Sequence, residues 1–391
     1  MNSYRKTPAL LFLLLALTLC GCSTAGWKTR TTEDSIWDAA FERTEGWTGA
    51  DVAGTIDLGR GRSLWLFGDT WIGAVESNRH TKASKLVANS IAIQEQGPTP
   101  GPIRFFWGNS NSTAHPAAWF APDTTNTWFW PAGSGAVASD AGGNPRLVVF
   151  LNEIGRREGD TSVFGFKLVD GSLALIDHFD ATPDRWIVRR VKNPHVIVSA
   201  SNRIDTTWGA DVVTVTDYSV PGSGLFFIYG LRETTTTNKD LLVARCPAES
   251  VDDFSAWRFY AGNGQWVSDA AQAASIADDL VNEFSVDLIS WAGREQFVLI
   301  QSEGGFGRRI SIRTADRPEG PWPEPVAVYT VDELSKSRDY FTYAARAHNE
   351  LSGTNELLVS YVVNSTDFGE MVNRAEIYRP RFIRIRVNPH R

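Results

Sequence analysis

Two aspartates, Asp51 and Asp69, are the residues of this chain best placed to do chemistry. They lie in the segment Trp47–Gly73, which reads WTGADVAGTIDLGRGRSLWLFGDTWIG, and each has glycine nearby. Two carboxylates that converge on one sheet edge are what acid/base hydrolysis of a glycosidic bond requires. The alternative is that both are turn or capping aspartates, since Asp is common at strand ends.

The elements that must position this pair are two strands. Apolar alternation predicts a first strand that carries Asp51 and continues to Leu58, and the run Leu64–Phe67 predicts a second. Gly59 and Gly61 supply the turn between them. In an antiparallel hairpin the start of one strand lies beside the end of the next. We therefore expect Asp51 and Asp69 at the same edge of the sheet.

The composition favours a large all-β protein. The chain has 391 residues and a formal net charge of −7, with 15 Trp, 21 Phe and 9 Tyr but only 2 Met. This length provides a large core in one or two domains. Mild acidity without a basic run argues against a nucleic-acid partner. Abundant aromatic residues suit sugar-binding faces, or else ordinary packing in large aromatic cores.

The N-terminus has the pattern of an export signal. Arg5 and Lys6 precede the apolar run Ala9–Leu19, which is too short to span a membrane comfortably. The sequence that follows resembles a bacterial lipoprotein signal, with Gly21 before Cys22. The resemblance implies removal of residues 1–21, lipidation of Cys22 and, from Ser23, attachment to the outer membrane. A plain secretory signal would equally give export.

We predict that residues 22–34 form a polar tether and that residues 35–391 form the catalytic domain. Cys246 is then the one cysteine besides Cys22 in the mature chain, so no intrachain disulfide is expected within the domain. Its apolar neighbours predict a core position.

The secondary structure of two segments stays undecided. Ser35–Arg43 fits a short helix or an edge strand, and Asp269–Leu280 fits a helix or an irregular insertion.

From Trp47 onward, short strands alternate with turn clusters, which is typical of a sandwich, barrel or propeller. A weak internal repeat favours the propeller. Five units each contain a strongly apolar second strand that ends in a polar or aromatic position. These ends are at Asp69, Asn152 and Glu153, Tyr229, Glu303, and Asn364. The sequence therefore predicts an all-β fold, a five-bladed β-propeller.

In such a fold one end of each inner strand meets the others at the central axis. The residues expected at that end are Asp51, Trp128 or Trp130, Trp208–Asp211, Glu283 and Tyr343. Polar side chains from different blades would then converge on one funnel.

Several ordered motifs resemble the five-bladed propeller endo-D-arabinanases of glycoside hydrolase family 183. They are WTGADVAGTIDL, LWLFGDTWIG, Asn89-Ser90-Ile91, Asn282–Val286, the segment ending at Trp322, and Ala345–His348. The resemblance spans nearly the whole mature chain. It implies an α-D-arabinofuranan substrate, with the catalytic carboxylates on Asp51 and Asp69. Related propeller hydrolases of L-arabinan and xylan share the architecture and an aspartate on the first inner strand.

Other residues are candidates for binding substrate, each with a structural alternative. Asn89 would bond a sugar hydroxyl or orient Asp69, or is a turn Asn. Glu283 would be a third carboxylate that modulates a pKa. Trp128, Trp130 and Trp208 would stack on sugars, or pack in blade cores.

Four further residues are candidates for the predicted site. Asp211 and Tyr343 are expected to contact substrate. His348 would bond substrate or hold a metal ion, although it has no partner at metal-ligand spacing and a lone histidine is usually structural. Arg346 would hold a carboxylate in place or form an exposed ion pair. We expect no cofactor and no metal.

A second hypothesis is a non-catalytic glycan-binding lipoprotein, because a fold does not dictate its chemistry. Substitution of either aspartate would separate the two, since an enzyme would lose most of its rate. The chain has no GxSxG elbow, HExxH, CxxC or Gly-rich phosphate loop. The expected partners are a polysaccharide substrate and a lipid anchor, and we expect a monomer.

Overall fold

The computed structural model describes residues 28–388, except 98, 141, 163–164, 200–203, 217–223, 234–237, 292 and 305–306. The predicted signal, residues 1–21, and the predicted lipidation site Cys22 lie outside the described residues. Within the described part of the chain, no helix has the length and apolarity needed to cross a membrane.

The structure is all-β. In chain order the strands are β1 (Lys28–Glu33), β2 (Glu45–Ala50), β3 (Gly54–Gly59), β4 (Arg62–Phe67), β5 (Thr70–Glu76), β6 (Arg79–His80), β7 (Lys85–Val87), β8 (Ser90–Glu95), β9 (Ile103–Phe106), β10 (Thr127–Ser139), β11 (Pro145–Arg156), β12 (Phe166–Asp177), β13 (Ile187–Lys192), β14 (Thr206–Thr216), β15 (Gly224–Glu233), β16 (Lys239–Pro247), β17 (Arg258–Tyr260), β18 (Trp266–Val267), β19 (Ala277–Leu280), β20 (Phe284–Trp291), β21 (Arg294–Ser302), β22 (Arg309–Ala315), β23 (Val326–Thr330), β24 (Tyr340–Ala347), β25 (Glu356–Ser365) and β26 (Pro380–Asn388). The short α-helices are α1 (Ser35–Ala40), α2 (Gly108–Asn111) and α3 (Phe368–Asn373). Single 3₁₀ turns occupy Pro183–Arg185, Ala248–Ser250, Phe254–Ala256, Ala270–Gln272, Asp332–Ser335 and Asn349–Leu351.

These strands form antiparallel sheets that follow one another along the chain. Sheet 1 is β3-β4-β8-β9, sheet 2 is β10-β11-β12-β13, and sheet 3 is β14-β15-β16-β17-β18 with β19 beside β16. Sheet 4 is β20-β21-β22-β23, and sheet 5 is β24-β25-β26-β1. A small additional sheet contains β2, β5, β6 and β7. The N-terminal strand β1 therefore completes the sheet that is otherwise built from the C-terminal strands.

The core lies between the sheets. The first strands of consecutive sheets contact each other, from β3 to β10, β14, β20 and β24. Four apolar clusters fill the spaces between sheets 1 and 2, 2 and 3, 3 and 4, and 4 and 5. A fifth cluster joins sheet 1 and the small sheet to sheet 5, through Trp65, Leu358 and Phe382, with Trp37 and Phe41 at α1. Removal of these apolar surfaces from water drives the packing of sheet on sheet.

The predicted second strands are present, but two of them are longer than predicted. The strands β4, β21 and β25 end within two residues of Asp69, Glu303 and Asn364. β11 continues past Asn152 to Arg156 and β15 past Tyr229 to Glu233, and each of these strands is the second strand of its sheet. Cys246 is a buried free thiol in the cluster between sheets 2 and 3, as predicted.

Part of the predicted tether is wrong. Residues Lys28–Glu33 form β1, which pairs with β26 along its whole length. Its sequence KTRTTE has no apolar residues, but a threonine-rich polar strand suits a sheet edge, and it covers the backbone groups that β26 would leave unpaired.

The two undecided segments are now assigned. Ser35–Ala40 is the helix α1. The Asp34 carboxylate caps its start, because it accepts hydrogen bonds of 3.2 Å from the backbone N–H groups of Ile36 and Trp37. Asp269–Leu280 is not an α-helix. It contains the 3₁₀ turn Ala270–Gln272 and the short strand β19.

Candidate active site

The chain passes from the small sheet into sheet 1 at Asp51 and returns to the small sheet at Asp69. We predicted one continuous strand through Asp51, but β2 ends at Ala50 and β3 begins at Gly54. β2 pairs with β5 and β3 pairs with β4, so Ala50 lies opposite Thr70 and Gly54 opposite Leu66. Asp51 and Asp69 occupy the two crossing points and lie side by side.

The crossing at Asp51 requires unusual backbone geometry. Val52 and Ala53 have φ angles of 66° and 49°, in the left-handed region that β-branched residues avoid. The N–H of Gly68 donates to the backbone oxygen of Asp51 at 3.2 Å. A Cβ on Gly68 would lie 2.3 Å from Asp51 Oδ1, so only glycine fits there. The strain is therefore concentrated beside the carboxylate pair.

Two tyrosines hold the carboxylate of Asp51. The hydroxyls of Tyr343, on β24, and Tyr378, just before β26, each donate to Asp51 Oδ2 at 2.8 Å. The side-chain amide of Asn364 donates to the Tyr343 hydroxyl at 3.2 Å and fixes its orientation. Hydroxyl donors stabilise the ionised form of a carboxyl group.

Asp69 has a different environment. Its Oδ1 accepts one hydrogen bond, at 2.8 Å, from the indole N–H of Trp130 on β10. The Trp130 ring packs edge-on against Phe166, with the ring centroids 4.8 Å apart. Both rings face the same cavity as the two aspartates.

Burial raises the pKa of both carboxyl groups. The pKa of Asp51 rises to about 6, because burial outweighs the hydrogen bonds from Tyr343 and Tyr378 that lower it. The pKa of Asp69 rises to about 7, first through burial and second through the negative charge of Asp51. The bond from Trp130 opposes this rise. Between these two pKa values the pair shares one proton, and the two hydroxyl donors to Asp51 favour its position on Asp69.

Glu283 is a third carboxyl group in the same cavity, at the start of β20. Burial and the charge of Asp51 raise its pKa to about 7, while Arg346 lowers it. The cavity has a volume of about 580 Å³ and is open on one side. The predicted site residues that line it are Asp51, Asp69, Trp130, Glu283 and Tyr343.

Two predicted sugar-binding residues are structural, so those predictions are wrong. Asn89 is 0% exposed, and its amide donates to the backbone oxygens of Phe120 and Phe129 at 2.8 Å while accepting from the Phe120 N–H at 2.7 Å. Trp208 is 2% exposed and packs in the core between sheets 2 and 3, with its indole N–H bonded to His195 O at 3.0 Å. Neither residue has polar groups left for a sugar.

Two residues predicted near the axis, Asp211 and His348, do not line the cavity. Asp211 is buried and forms an ion pair with Arg346 at 3.6 Å. His348 is 0% exposed, and its two ring nitrogens bond the hydroxyls of Thr55 at 2.9 Å and Ser360 at 2.8 Å. Burial lowers the pKa of His348 to about 3, so the ring stays neutral. The proposals that Asp211 and His348 contact substrate are wrong, since their polar groups are used inside the protein.

Trp128 does not line the cavity either. Its ring lies edge-on to Trp130 at 5.9 Å and under the guanidinium of Arg156 at 5.7 Å. Among the described residues, no group of three or more His, Cys, Asp or Glu side chains is arranged to hold a metal ion.

Two residues of the site, Tyr378 and Asn364, were not predicted from the sequence, and they position Asp51 directly and through Tyr343. Tyr378 has no strand pattern around it and adopts a φ of 60° between α3 and β26. The polar end of the β25 unit, Asn364, was visible as a repeat feature, and its equivalent in the first unit is Asp69. That equivalence was the signal that could have identified it.

Taken together, the cavity presents one carboxylate stabilised by two hydroxyls and a neighbouring carboxyl group that holds a proton. A proton donor and an anionic group thus lie side by side in a space large enough for a ligand. Their pKa values are separated by environment, which is the usual basis for distinct acid and base roles.

Comparison with solved structures gives a full-length match to a Bacteroides ovatus protein described as a "putative hydrolase". The identity is 18% and the TM-score 0.67, and the match covers 91% of this chain and 90% of that one. Fainter similarities link the chain to the exo-β-1,3-galactanase of Phanerochaete chrysosporium, at 10% identity, TM-score 0.42 and 91% and 63% coverage. Trypanosoma rangeli sialidase matches at 10% identity, TM-score 0.38 and 86% and 44% coverage. The first of these supports the fold alone.

None of the curated proteins matches the sequence. The profile of the family described as "Domain of unknown function (DUF5005)" matches residues 34–387, which include every strand from β2 to β25 and nearly all of β26. The chain therefore belongs to the DUF5005 family.

Proposed function

We propose that this protein is a glycoside hydrolase in which Asp51 and Asp69 carry out the chemistry. The observation that carries the proposal is the contrast between these adjacent carboxyl groups. Asp51 accepts two tyrosine hydroxyls, whereas Asp69 has one indole donor and lies beside the charge of Asp51. Glycosidic hydrolysis requires one carboxylic acid and one carboxylate on either side of the scissile bond.

The environments assign the roles. Asp69 is the general acid, which gives its proton to the leaving oxygen of the glycosidic bond. Asp51 is ionised and acts at the anomeric carbon, either as the nucleophile that water later displaces or as the base that takes a proton from the attacking water, while positive charge develops in the oxocarbenium-like transition state. After proton transfer, the Trp130 N–H stabilises the newly formed Asp69 carboxylate through the bond it already makes.

The fold is proposed to be a five-bladed β-propeller, with sheets 1 to 5 as the blades. Support comes from the contacts between successive first strands and from the apolar cluster that joins sheet 5 to sheet 1. The addition of β1 to sheet 5 would then close the ring, since it links the start of the chain to the last blade. The cavity would lie at one end of the central axis.

The proposed substrate is D-arabinan, cleaved at α-D-arabinofuranosidic linkages. This proposal comes from the motif resemblance to endo-D-arabinanases around Asp51 and Asp69. The cavity is consistent with a sugar ligand, because Trp130, Phe166 and Phe341 line it beside the carboxyl groups.

The experiment is to incubate the purified protein with mycobacterial arabinogalactan, linear L-arabinan and arabinoxylan, and to measure released oligosaccharides. Asp51→Asn is the control, since it keeps the shape of the side chain and removes its charge. Release from arabinogalactan alone, lost in the variant, is the expected result. Release of oligosaccharides from L-arabinan or arabinoxylan would overturn the D-arabinan assignment but leave the glycoside hydrolase proposal standing. Equal release by the variant, or none by either protein, would overturn the hydrolase proposal.

A further inference from the structure

Three cationic side chains line one wall of the cavity, at the adjoining ends of β11 and β12. They are Arg156, Arg157 and Lys167. In the pairing of these strands Arg156 lies opposite Phe166, and Lys167 lies opposite Gly155. Arg157 continues the ladder, because its N–H donates to the oxygen of Gly165 at 2.9 Å. We call these three residues the cationic wall.

The cations of the cationic wall form no close ion pair within the described part of the protein, although Asp160, whose pKa is lowered by its bonds from Ser162 and then by Arg157 and Arg156, lies within electrostatic range. No carboxylate of the described residues lies within 4 Å of any of the three cations, whereas the cavity cation Lys239 pairs with Glu233 at 3.4 Å. Arg156 makes one neutral bond, to the backbone oxygen of Ser162 at 3.3 Å. Arg156 and Lys167 are exposed, so their charged groups are available to a ligand.

The cationic wall adjoins the catalytic pair. Burial and the charge of Asp51 raise the pKa of Asp69, and the positive charge of Arg156 partly opposes this rise, so Arg156 and Asp69 lie within electrostatic range. Phe166 pairs opposite Arg156 and directly precedes Lys167 in the chain. Its ring packs on Trp130, whose indole N–H bonds Asp69. A sugar seated against Trp130 and Phe166 would therefore have cations on one side.

Most acidic residues of the cavity lining have partners of their own or lie close to one another. Asp205 accepts the Ser199 N–H at 2.8 Å, and Glu233 pairs with Lys239. Asp51 and Glu283 interact electrostatically with each other and would repel a negatively charged group. An anionic substituent is thus favoured at the cationic wall and disfavoured beside Asp51 and Glu283.

We propose that the cationic wall is a subsite for an anionic group on the glycan, a carboxylate or a phosphate, next to the bond that is cleaved. This inference rests on the proposed function and narrows the proposed D-arabinan substrate to chains that carry carboxylate or phosphate substituents. Arginine suits such a subsite because its planar guanidinium bonds carboxylate and phosphate oxygens in pairs.

Binding, measured apart from hydrolysis, tests the inference. The probes are D-glucuronate, D-glucose 6-phosphate and neutral D-glucose, whose dissociation constants are measured by ligand-observed NMR at low and high salt. The variants are the double substitution Arg156→Gln with Arg157→Gln, and Lys167→Gln. Lys336→Gln is the matched control, because Lys336 is exposed and lies outside the cavity.

We expect at least one charged sugar to bind roughly threefold to tenfold more tightly than glucose at low salt. The preference is expected to shrink at high salt and to disappear in the double variant, while Lys336→Gln behaves as wild type. Preference for only one charged sugar also supports the subsite and decides between carboxylate and phosphate. Equal binding of all three sugars, or an equal loss in Lys336→Gln, would overturn the inference.

Failure of this inference is distinguishable from failure of the proposed function. If the protein shows no preference for the charged sugars but releases oligosaccharides in an Asp51-dependent manner, the hydrolase proposal stands and the subsite proposal is wrong. If charged sugars bind at the cationic wall and no glycan is cleaved, the subsite stands and the hydrolase falls.

Discussion

The hydroxyl of Tyr378 donates a hydrogen bond of 2.8 Å to Oδ2 of Asp51, across a sequence separation of 327 residues. Tyr343 donates to the same oxygen across 292 residues. The environment of the first candidate catalytic residue is therefore built by the C-terminal part of the chain. Sheet 5 has to fold against sheet 1 before Asp51 acquires its donors.

Loss of these donors should impair activity through the protonation of Asp51. Tyr378→Phe and Tyr343→Phe each remove one hydroxyl that lowers the pKa of Asp51, so the pKa should rise and the acid limb of the pH–rate profile should move upward. The measurement is kcat/KM against pH. Tyr260→Phe is the matched control, because that hydroxyl lies outside the cavity and contacts the Gly264 N–H. An unchanged acid limb in both variants would show that the tyrosines do not act on Asp51.

The pH dependence of the wild type follows from the two carboxyl groups. Activity requires an ionised Asp51, with a pKa of about 6, and a protonated Asp69, with a pKa of about 7. The profile of kcat/KM should therefore be bell-shaped, with its maximum between these values, and the limbs belong to the pair as a whole.

The alkaline limb reports the proton on Asp69. Trp130→Phe keeps an aromatic ring but removes the N–H that lowers the pKa of Asp69, so this limb should move to higher pH. Trp128→Phe is the control, since Trp128 is adjacent to Trp130 but has no bond to Asp69. A profile that rises steadily above pH 8 in the wild type would contradict the assignment of Asp69 as the acid.

Stability should also depend on the state of Asp69. Its pKa is about 7 in the folded protein against 3.8 for the unperturbed group, so the folded state binds more protons between about pH 4 and 7. Stability contributed by this group is then lost as pH rises through that window. Asp69→Asn should raise Tm, and by more at pH 8 than at pH 4. Thermal unfolding at both pH values is the measurement, and a larger gain at pH 4 would refute the raised pKa.

Asn89 should act on stability and not on substrate binding. Asn89→Ala leaves the Phe120 N–H and the backbone oxygens of Phe120 and Phe129 without their partner, which should cost on the order of 2 kcal/mol or more in free energy of unfolding. Denaturant titration measures this loss. KM for the cleaved glycan should stay at the wild-type value under conditions where the variant is folded, and a large rise in KM would restore Asn89 to the site.

The sequence predicted much of the architecture because strand alternation and the repeated second strand are local signals. The ends near Asp69, Glu303 and Asn364 were located correctly for this reason, whereas the end predicted at Tyr229 came too early, because β15 continues to Glu233. The position of Asp51 beside Asp69 was also predicted, because the hairpin of β3 and β4 brings the residues before β3 next to the residues after β4. The break at Val52 was not predictable, because no propensity scale anticipates a β-branched residue with a φ of 66°.

The direction in which a side chain points was the second feature that could not be predicted from the sequence. Asn89, Trp208 and His348 all have chemistry suited to a sugar site, but each satisfies its polar groups within the protein. Whether a polar residue points into a cavity or a core depends on the packing of neighbouring sheets, which a single sequence does not encode locally. Tyr378 was missed for the same reason, since its role exists only after the two chain ends meet.

The most direct test of the account separates the roles of Asp51 and Asp69. The substrates are the glycan that the wild type cleaves and the 2,4-dinitrophenyl glycoside of the oligosaccharide it releases, whose leaving group needs no proton. Asp69→Asn should lose about 10² to 10⁴ in kcat/KM on the glycan and keep most of its rate on the dinitrophenyl glycoside. Asp51→Asn should lose its rate on both substrates. If Asp69→Asn were equally impaired on both, or Asp51→Asn retained the glycan activity, the proposed division of acid and carboxylate between these two residues would be contradicted.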